Sequence, residues 1–172
     1  GGVIAEKEKL LVTKPELLRR RFCIDVRTEN EVTAIDRAAK KVTVRDLRTN
    51  RTYEESYDKL LLSPGAAPKR LPVEGNDLEG VFTLRTVPDT LAIDAYIREK
   101  RVKQAVVVGA GFIGVEMAEN LKKRGLDVTI VEFLDQAVGS LDREMAAVLH
   151  GHLREKGISL RLRTAGEGLE RA

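Results

Sequence analysis

Cysteine is almost absent: Cys23 is the only one in 172 residues. A lone thiol excludes an internal disulfide and suits a reducing compartment, so a cytoplasmic location is expected. Long apolar runs are also missing. Stretches such as "KLLLSPG" and "AVVVGAG" have the length of buried strands, far short of the roughly 20 residues a membrane span needs. The amino terminus has no basic segment followed by an apolar one, so no signal peptide is read there. Charge of one sign is not in excess: 30 Lys+Arg face 27 Asp+Glu, a net +3. The two signs are interleaved, so no nucleic-acid footprint is expected. "RRR", Arg19 to Arg21, is the densest basic run and reads as a solvated helix end. Histidine is scarce as well. His150 and His152 stand two apart on a predicted helix and so on different faces, whereas helical zinc pairs stand four apart. Neither a metal site nor a Ser–His–Asp arrangement is expected. The chain opens "GGVIAEKEKLLV" without Met and closes "TAGEGLERA", which reads as a piece of something longer.

What is present is a soluble composition, 42% hydrophobic and 33% charged, with two differently patterned halves. "KPELLRRRF" (14–22) predicts a short helix, with Thr13 and Glu16 at capping-box spacing and Pro15 in the first turn. Three strands are predicted next, at 24–36, 40–47 and 51–63. The short polar links between them suit antiparallel hairpins. "PGAAPKRLPVEGNDLEG" (64–80) breaks regularity with its prolines and glycines and marks a domain boundary. A helix is predicted over 88–99. From 104 the pattern alternates strictly: strand "QAVVV", helix "FIGVEMAENLKKR", strand "DVTIVE", helix "DREMAAVLHGHLREK", strand "ISLRLR". Gly125 and Gly157 end the two helices as left-handed caps. Such alternation implies a parallel sheet and half of a dinucleotide-binding fold.

"VVVGAGFIGVE" (106–116) joins the first of these strands to its helix. Gly109 suits the tight turn, Gly111 a close approach of backbone to a pyrophosphate, and Gly114 close packing of helix on strand. The helix start offers free N–H groups and a positive dipole end. Glu132, 18 residues beyond Gly114, ends the next strand, where a carboxylate can accept hydrogen bonds from a ribose diol. That carboxylate repels a 2′-phosphate, and no cation follows it before Arg143, so NAD(H) is favoured over NADP(H). FAD uses the same fingerprint and stays open as an alternative ligand of this turn.

These residues resemble the pyridine nucleotide–disulfide oxidoreductases, in the branch of the coenzyme A-disulfide reductases, NADH oxidases and NADH peroxidases. "GAGFIGVEMAENLKKRGLDVTIVE" (109–132) is similar to that branch's NAD motif, and "YDKLLLSPGAAPKRLPVEG" (57–75) to its exit from the flavin domain. "LDREMA" and "LREKGISLRL" also fit. The resemblance implies an α/β fold. Residues 1–78 would be part of an FAD domain, including its three-stranded antiparallel segment, and residues 79–172 part of an NAD(P)-binding domain, half of a Rossmann-type parallel sheet. It assigns Gly109, Gly111, Phe112, Ile113, Gly114, Glu116 and Glu132 to the pyridine nucleotide, with Phe112 gating the nicotinamide and Glu116 near it. Val32, Ser63 and Gly65 would face FAD. Pro64 departs from the usual Thr of the exit motif. No amino-terminal FAD glycine motif and no active-site cysteine motif stand in the chain; Cys23, in "RRFCIDV", reads as a core residue, so no catalytic residue is assigned.

The expected parent activity is passage of hydride from NADH to FAD and on to a small-molecule disulfide, a peroxide or oxygen, by a homo-oligomer with neither membrane nor nucleic acid as partner. The chain alone is expected to be inactive. Two alternatives stand beside this: a non-catalytic dinucleotide-binding module, and a monooxygenase-type flavoprotein whose glycine turn holds FAD.

Overall fold

The computed structural model describes residues 13–170. The described chain divides into two compact units, residues 13–66 and residues 67–170.

The first unit opens with helix α1, Pro15–Phe22. Its N-cap is Lys14, with no side-chain cap, which corrects the expected Thr13–Glu16 capping box. Pro15 fits only the first helical position, so the cap falls on the residue before it and Thr13 lies one residue too early. Strands β1 (Asn30–Asp36), β2 (Lys41–Asp46) and β3 (Thr52–Ser56) form an antiparallel meander. Asp36 pairs with Lys41 and Asn30 with Asp46 across β1 and β2, with a register shift between Val32 and Ala34. The Asp46 side chain accepts from the N–H groups of Arg48 and Thr49, the local bonding that makes Asp a turn residue.

Two predicted strands are shortened. The first begins at Asn30 rather than at 24, because Glu29 turns the chain with φ 58° and its carbonyl accepts from Leu47 where pairing with β2 ends. The third stops at Ser56, and the apolar run after it forms no strand. Leu61 is 89% exposed; no described neighbour gives that run a face to bury. This sheet's interior is thin: Val42 and Val44 are its buried hydrophobics among the described residues. Cross-strand ion pairs such as Arg45–Glu31 and Lys41–Glu54 lie half-exposed and add little. Cys23, expected in a core, is exposed with φ 53° at the end of α1.

The second unit alternates. Helix α2 (Val87–Glu99) carries a complete capping box between Thr86 and Asp89. Strand β4 (Gln104–Val108), helix α3 (Phe112–Lys123), strand β5 (Asp127–Val131), helix α4 (Arg143–Glu155) and strand β6 (Ile158–Arg161) follow. The sheet is parallel, in the order β4-β5-β6. Gly125 and Gly157 have φ 85° and 69° just past the ends of α3 and α4, the left-handed conformation glycine adopts without penalty. Central β5 buries Val128 and Ile130 against a core of Ala118, Leu121, Leu153 and Ile158. Val106 and Val108 of β4 are exposed, and β4 pairs only with β5 among the described residues.

Candidate functional site

The strand ends of the parallel sheet converge on the turn between β4 and α3. Gly109 leaves the sheet with φ 99°, a conformation that costs any residue with a Cβ, and its N–H donates to the Val131 carbonyl at 2.8 Å. At Gly114 a Cβ would fall on the Gly109 carbonyl group, so helix and turn are packed as closely as a glycine permits. Gly111 differs from both. Its φ is −71° and its ψ 179°, which any residue can adopt, and a Cβ there would meet nothing within 4 Å. Neither the backbone nor the packing of this fold asks for glycine at 111.

The helix starts make the same distinction. Thr86 closes α2 and Asp142 closes α4, each accepting from a first-turn N–H. Gly111 leaves α3 without a side-chain cap. Its first-turn N–H groups and positive dipole end are left without a side-chain acceptor, an arrangement that suits an anion.

Between Gly109 and Gly111, Ala110 is wholly buried and held on both sides. Its N–H donates to Glu132 Oε2 at 2.6 Å, and its carbonyl accepts from Val138 N–H at 2.8 Å. The other oxygen of Glu132 accepts from Leu134 N–H at 2.8 Å. The carboxylate expected at a ribose is thus also the brace of the glycine turn; each of its oxygens keeps a further lone pair. Beyond it, Asp135 pairs with Arg143 at 3.1 Å and with Arg163 at 3.7 Å.

Phe112 and Ile113 stand exposed on the first turn of α3, and Glu116 is exposed one turn on. A mainly apolar groove of about 830 Å³ runs from Val106 and Val108 past Phe112 and Ile113, with Phe82 and Tyr96 among its lining. Those two rings meet edge to face at 5.2 Å.

The residues assigned to a flavin are not assembled in this way. Val32 is an exposed residue of β1, whereas Ser63 and Gly65 lie in irregular, exposed backbone beyond β3. They share no element. Among the described residues no cluster of three or more His, Cys, Asp or Glu could hold a metal ion, and no helix is long and apolar enough to cross a membrane. The sequence names neither Ala110 nor Val138 and raises His150 only as a metal ligand; their part in the turn is set by contacts that no local motif encodes.

Comparison with known proteins agrees with this fold. The chain is 40% identical over 162 residues to a coenzyme A disulfide reductase of Staphylococcus haemolyticus, which covers 94% of this chain and 36% of the relative. It is 41% identical to an NADH oxidase of Methanocaldococcus jannaschii, with the same coverage. The structure of reduced Bacillus anthracis CoADR-RHD superposes with a TM-score of 0.92 at 45% identity, over 98% of this chain and 30% of that one. The chain thus spans about a third of the length of the relatives it matches. With residues 3–171 matching the profile described as pyridine nucleotide-disulphide oxidoreductase, the chain belongs to that family.

Proposed function

We propose that this chain carries the pyridine-nucleotide grip of an FAD-dependent NADH oxidoreductase, with residues 79–172 part of the NAD(P)-binding domain and residues 1–78 part of the FAD domain. The observation that carries the reading is Gly111, a glycine the fold does not need, at the one described helix start in this unit that no side chain caps. The amides at the start of α3 would meet the pyrophosphate, and Glu132 the adenosine ribose. Phe112, Ile113 and Glu116 would flank the nicotinamide. NADH held there would supply hydride for a flavin, with coenzyme A disulfide or oxygen as the acceptor that the relatives' names suggest. The part played by these residues is to bind and orient. The preference for NAD(H) follows from Glu132, whose charge opposes a 2′-phosphate, and from Arg143 and Arg163, both already paired with Asp135.

Val32, Ser63 and Gly65, exposed and unassembled, favour a second description of this stretch of chain as a nucleotide-binding module without turnover of its own.

Titration calorimetry of NADH and NADPH into wild type and Gly111→Ala tests the reading. NADH should bind the wild type more tightly than NADPH. The variant should lose about tenfold or more in NADH affinity, about 1.4 kcal/mol, while its unfolding free energy changes by less than about 1 kcal/mol, the scale of a cap change from Gly to Ala. Equal NADH affinity of variant and wild type would overturn the assignment of the turn. Equal or tighter NADPH binding would overturn the preference.

A further inference from the structure

The loop between β5 and α4 holds one strained residue. Val138 is buried and has φ 49°, a region that a β-branched residue enters only under constraint. Two hydrogen bonds supply the constraint. Val138 N–H donates to the Ala110 carbonyl at 2.8 Å, inside the glycine turn. One residue earlier, Ala137 N–H donates to Nε2 of His150 on α4 at 3.0 Å. Ala137 is wholly buried, so its N–H has no water to turn to.

We propose that His150 is a positioning residue for dinucleotide binding: as a neutral imidazole it clamps the loop that holds Ala110, and its protonation releases that clamp and weakens the grip. The inference rests on the reading that the turn at Gly109–Gly114 binds the dinucleotide.

An Nε2 that accepts from Ala137 carries no proton. Adding one sets donor against donor across the contact, and the buried Ala137 N–H can then find an acceptor only if the loop shifts. A shift lets Val138 relax toward an ordinary backbone and withdraws its bond from Ala110. Only Glu132 then positions Ala110.

The charged neighbours leave the imidazole without a carboxylate partner. On α4 these are Arg154, one turn on, and Arg143 with the cap Asp142 at its start. On the loop Asp135 is paired with Arg143 and Arg163, and Glu132 is engaged with Ala110 and Leu134. Strand β6, packed against α4, ends in Arg161. Burial first, then the like charge of Arg154, hold His150 below the ordinary histidine value. With the folded value depressed, the neutral clamp is complete above about pH 6.5. It is lost as pH falls from there through the folded value, where the unfolded chain binds the proton more readily.

The test measures NAD+ affinity by calorimetry at pH 8 and pH 5.5 for wild type, His150→Gln and His150→Leu, with amide-exchange protection of Ala137 and Val138 measured without ligand at both pH values. NAD+ is the probe because it survives acid. The wild type should bind more weakly at pH 5.5, the loss approaching about fivefold as protonation of His150 nears completion, the scale of one lost hydrogen bond. His150→Gln, whose carbonyl accepts at either pH, should match wild type at pH 8 and change less than about twofold between the two. His150→Leu should show the weak, acid-form affinity at both. Protection of Ala137 should follow the same three patterns. Acid loss in His150→Gln equal to that of wild type, full affinity of His150→Leu at pH 8, or pH-independent protection of Ala137 in wild type would overturn the clamp. Failure of the wild type to bind NAD+ at pH 8 would instead overturn the proposed function; the protection of Ala137 alone then decides whether His150 holds the loop.

Discussion

Glu132 does two jobs in the structure, and replacing it by Gln and by Ala separates them. Its carboxylate accepts from Ala110 at 2.6 Å and from Leu134 at 2.8 Å. The two bonds are not of equal weight. Ala110 is wholly buried whereas Leu134 is 51% exposed, so water can replace the acceptor of Leu134 but not that of Ala110. Leaving a buried N–H unsatisfied costs about 1–3 kcal/mol, and an exposed one close to nothing. Glu132→Ala should therefore destabilise the protein by about 1–3 kcal/mol. Glu132→Gln keeps one carbonyl, which can still face Ala110; it loses the bond from Leu134, which water replaces, and the extra strength of a charge-assisted bond, about 1 kcal/mol. Urea unfolding should rank wild type above Gln and Gln above Ala, with the slope unchanged. If Glu132→Ala unfolds within about 0.5 kcal/mol of wild type, the brace carries no weight and the geometric argument for the turn fails. If NADH affinity falls equally in both variants while stability falls only in Ala, the ribose role is separable from the brace.

Two further outcomes follow from local geometry. Gly109 has φ 99° and a Cβ there would meet nothing within 4 Å, so Gly109→Ala should cost about 1–2 kcal/mol through backbone strain alone; denaturant unfolding at wild-type free energy would refute this. Asp89 lies below the ordinary aspartate value, chiefly through the Thr86 backbone N–H, then the Thr86 hydroxyl and the Arg85 N–H. A depressed folded value means stability that is present above about pH 4 and lost as pH falls through the folded value. Asp89→Asn should therefore flatten part of the decline of the urea midpoint on acidification below pH 4, and identical pH curves for the two proteins would refute it.

The half of the chain after residue 104 was the more legible in sequence because its signals are local. Alternating strand and helix patterns gave β4 through β6, and glycines at fixed positions gave the turn and both helix ends. The predicted bounds of α3 and α4 shift by no more than a residue or so at each end. The antiparallel strands were visible as strands but not in extent. Their limits depend on partners: β1 starts where β2 can still pair, and the Leu60–Leu62 run remains exposed although its composition reads as a buried strand. In the site, the glycine spacing and Glu132 could be read from sequence, whereas the bracing of Ala110 could not. Nothing in "FLDQAVGSLD" announces that Val138 takes a left-handed backbone or that His150, 13 residues beyond Ala137, supplies the acceptor beneath it. A valine with positive φ runs against its own propensity, and only the surrounding contacts hold it there.

The uncapped start of α3 also bears on how this protein responds to selection. Thr86 and Asp142 show that the chain has ordinary means of closing a helix start, and the space around Gly111 would admit a serine or aspartate. Such a residue would satisfy an amide of the ligand-free protein and occupy the place proposed for the phosphate. Heat-resistant variants chosen without cofactor present should therefore drift toward a side chain at position 111, gaining thermal tolerance as they lose the grip. Selection with the dinucleotide present should keep the position bare, because the bound ligand itself then raises the melting temperature.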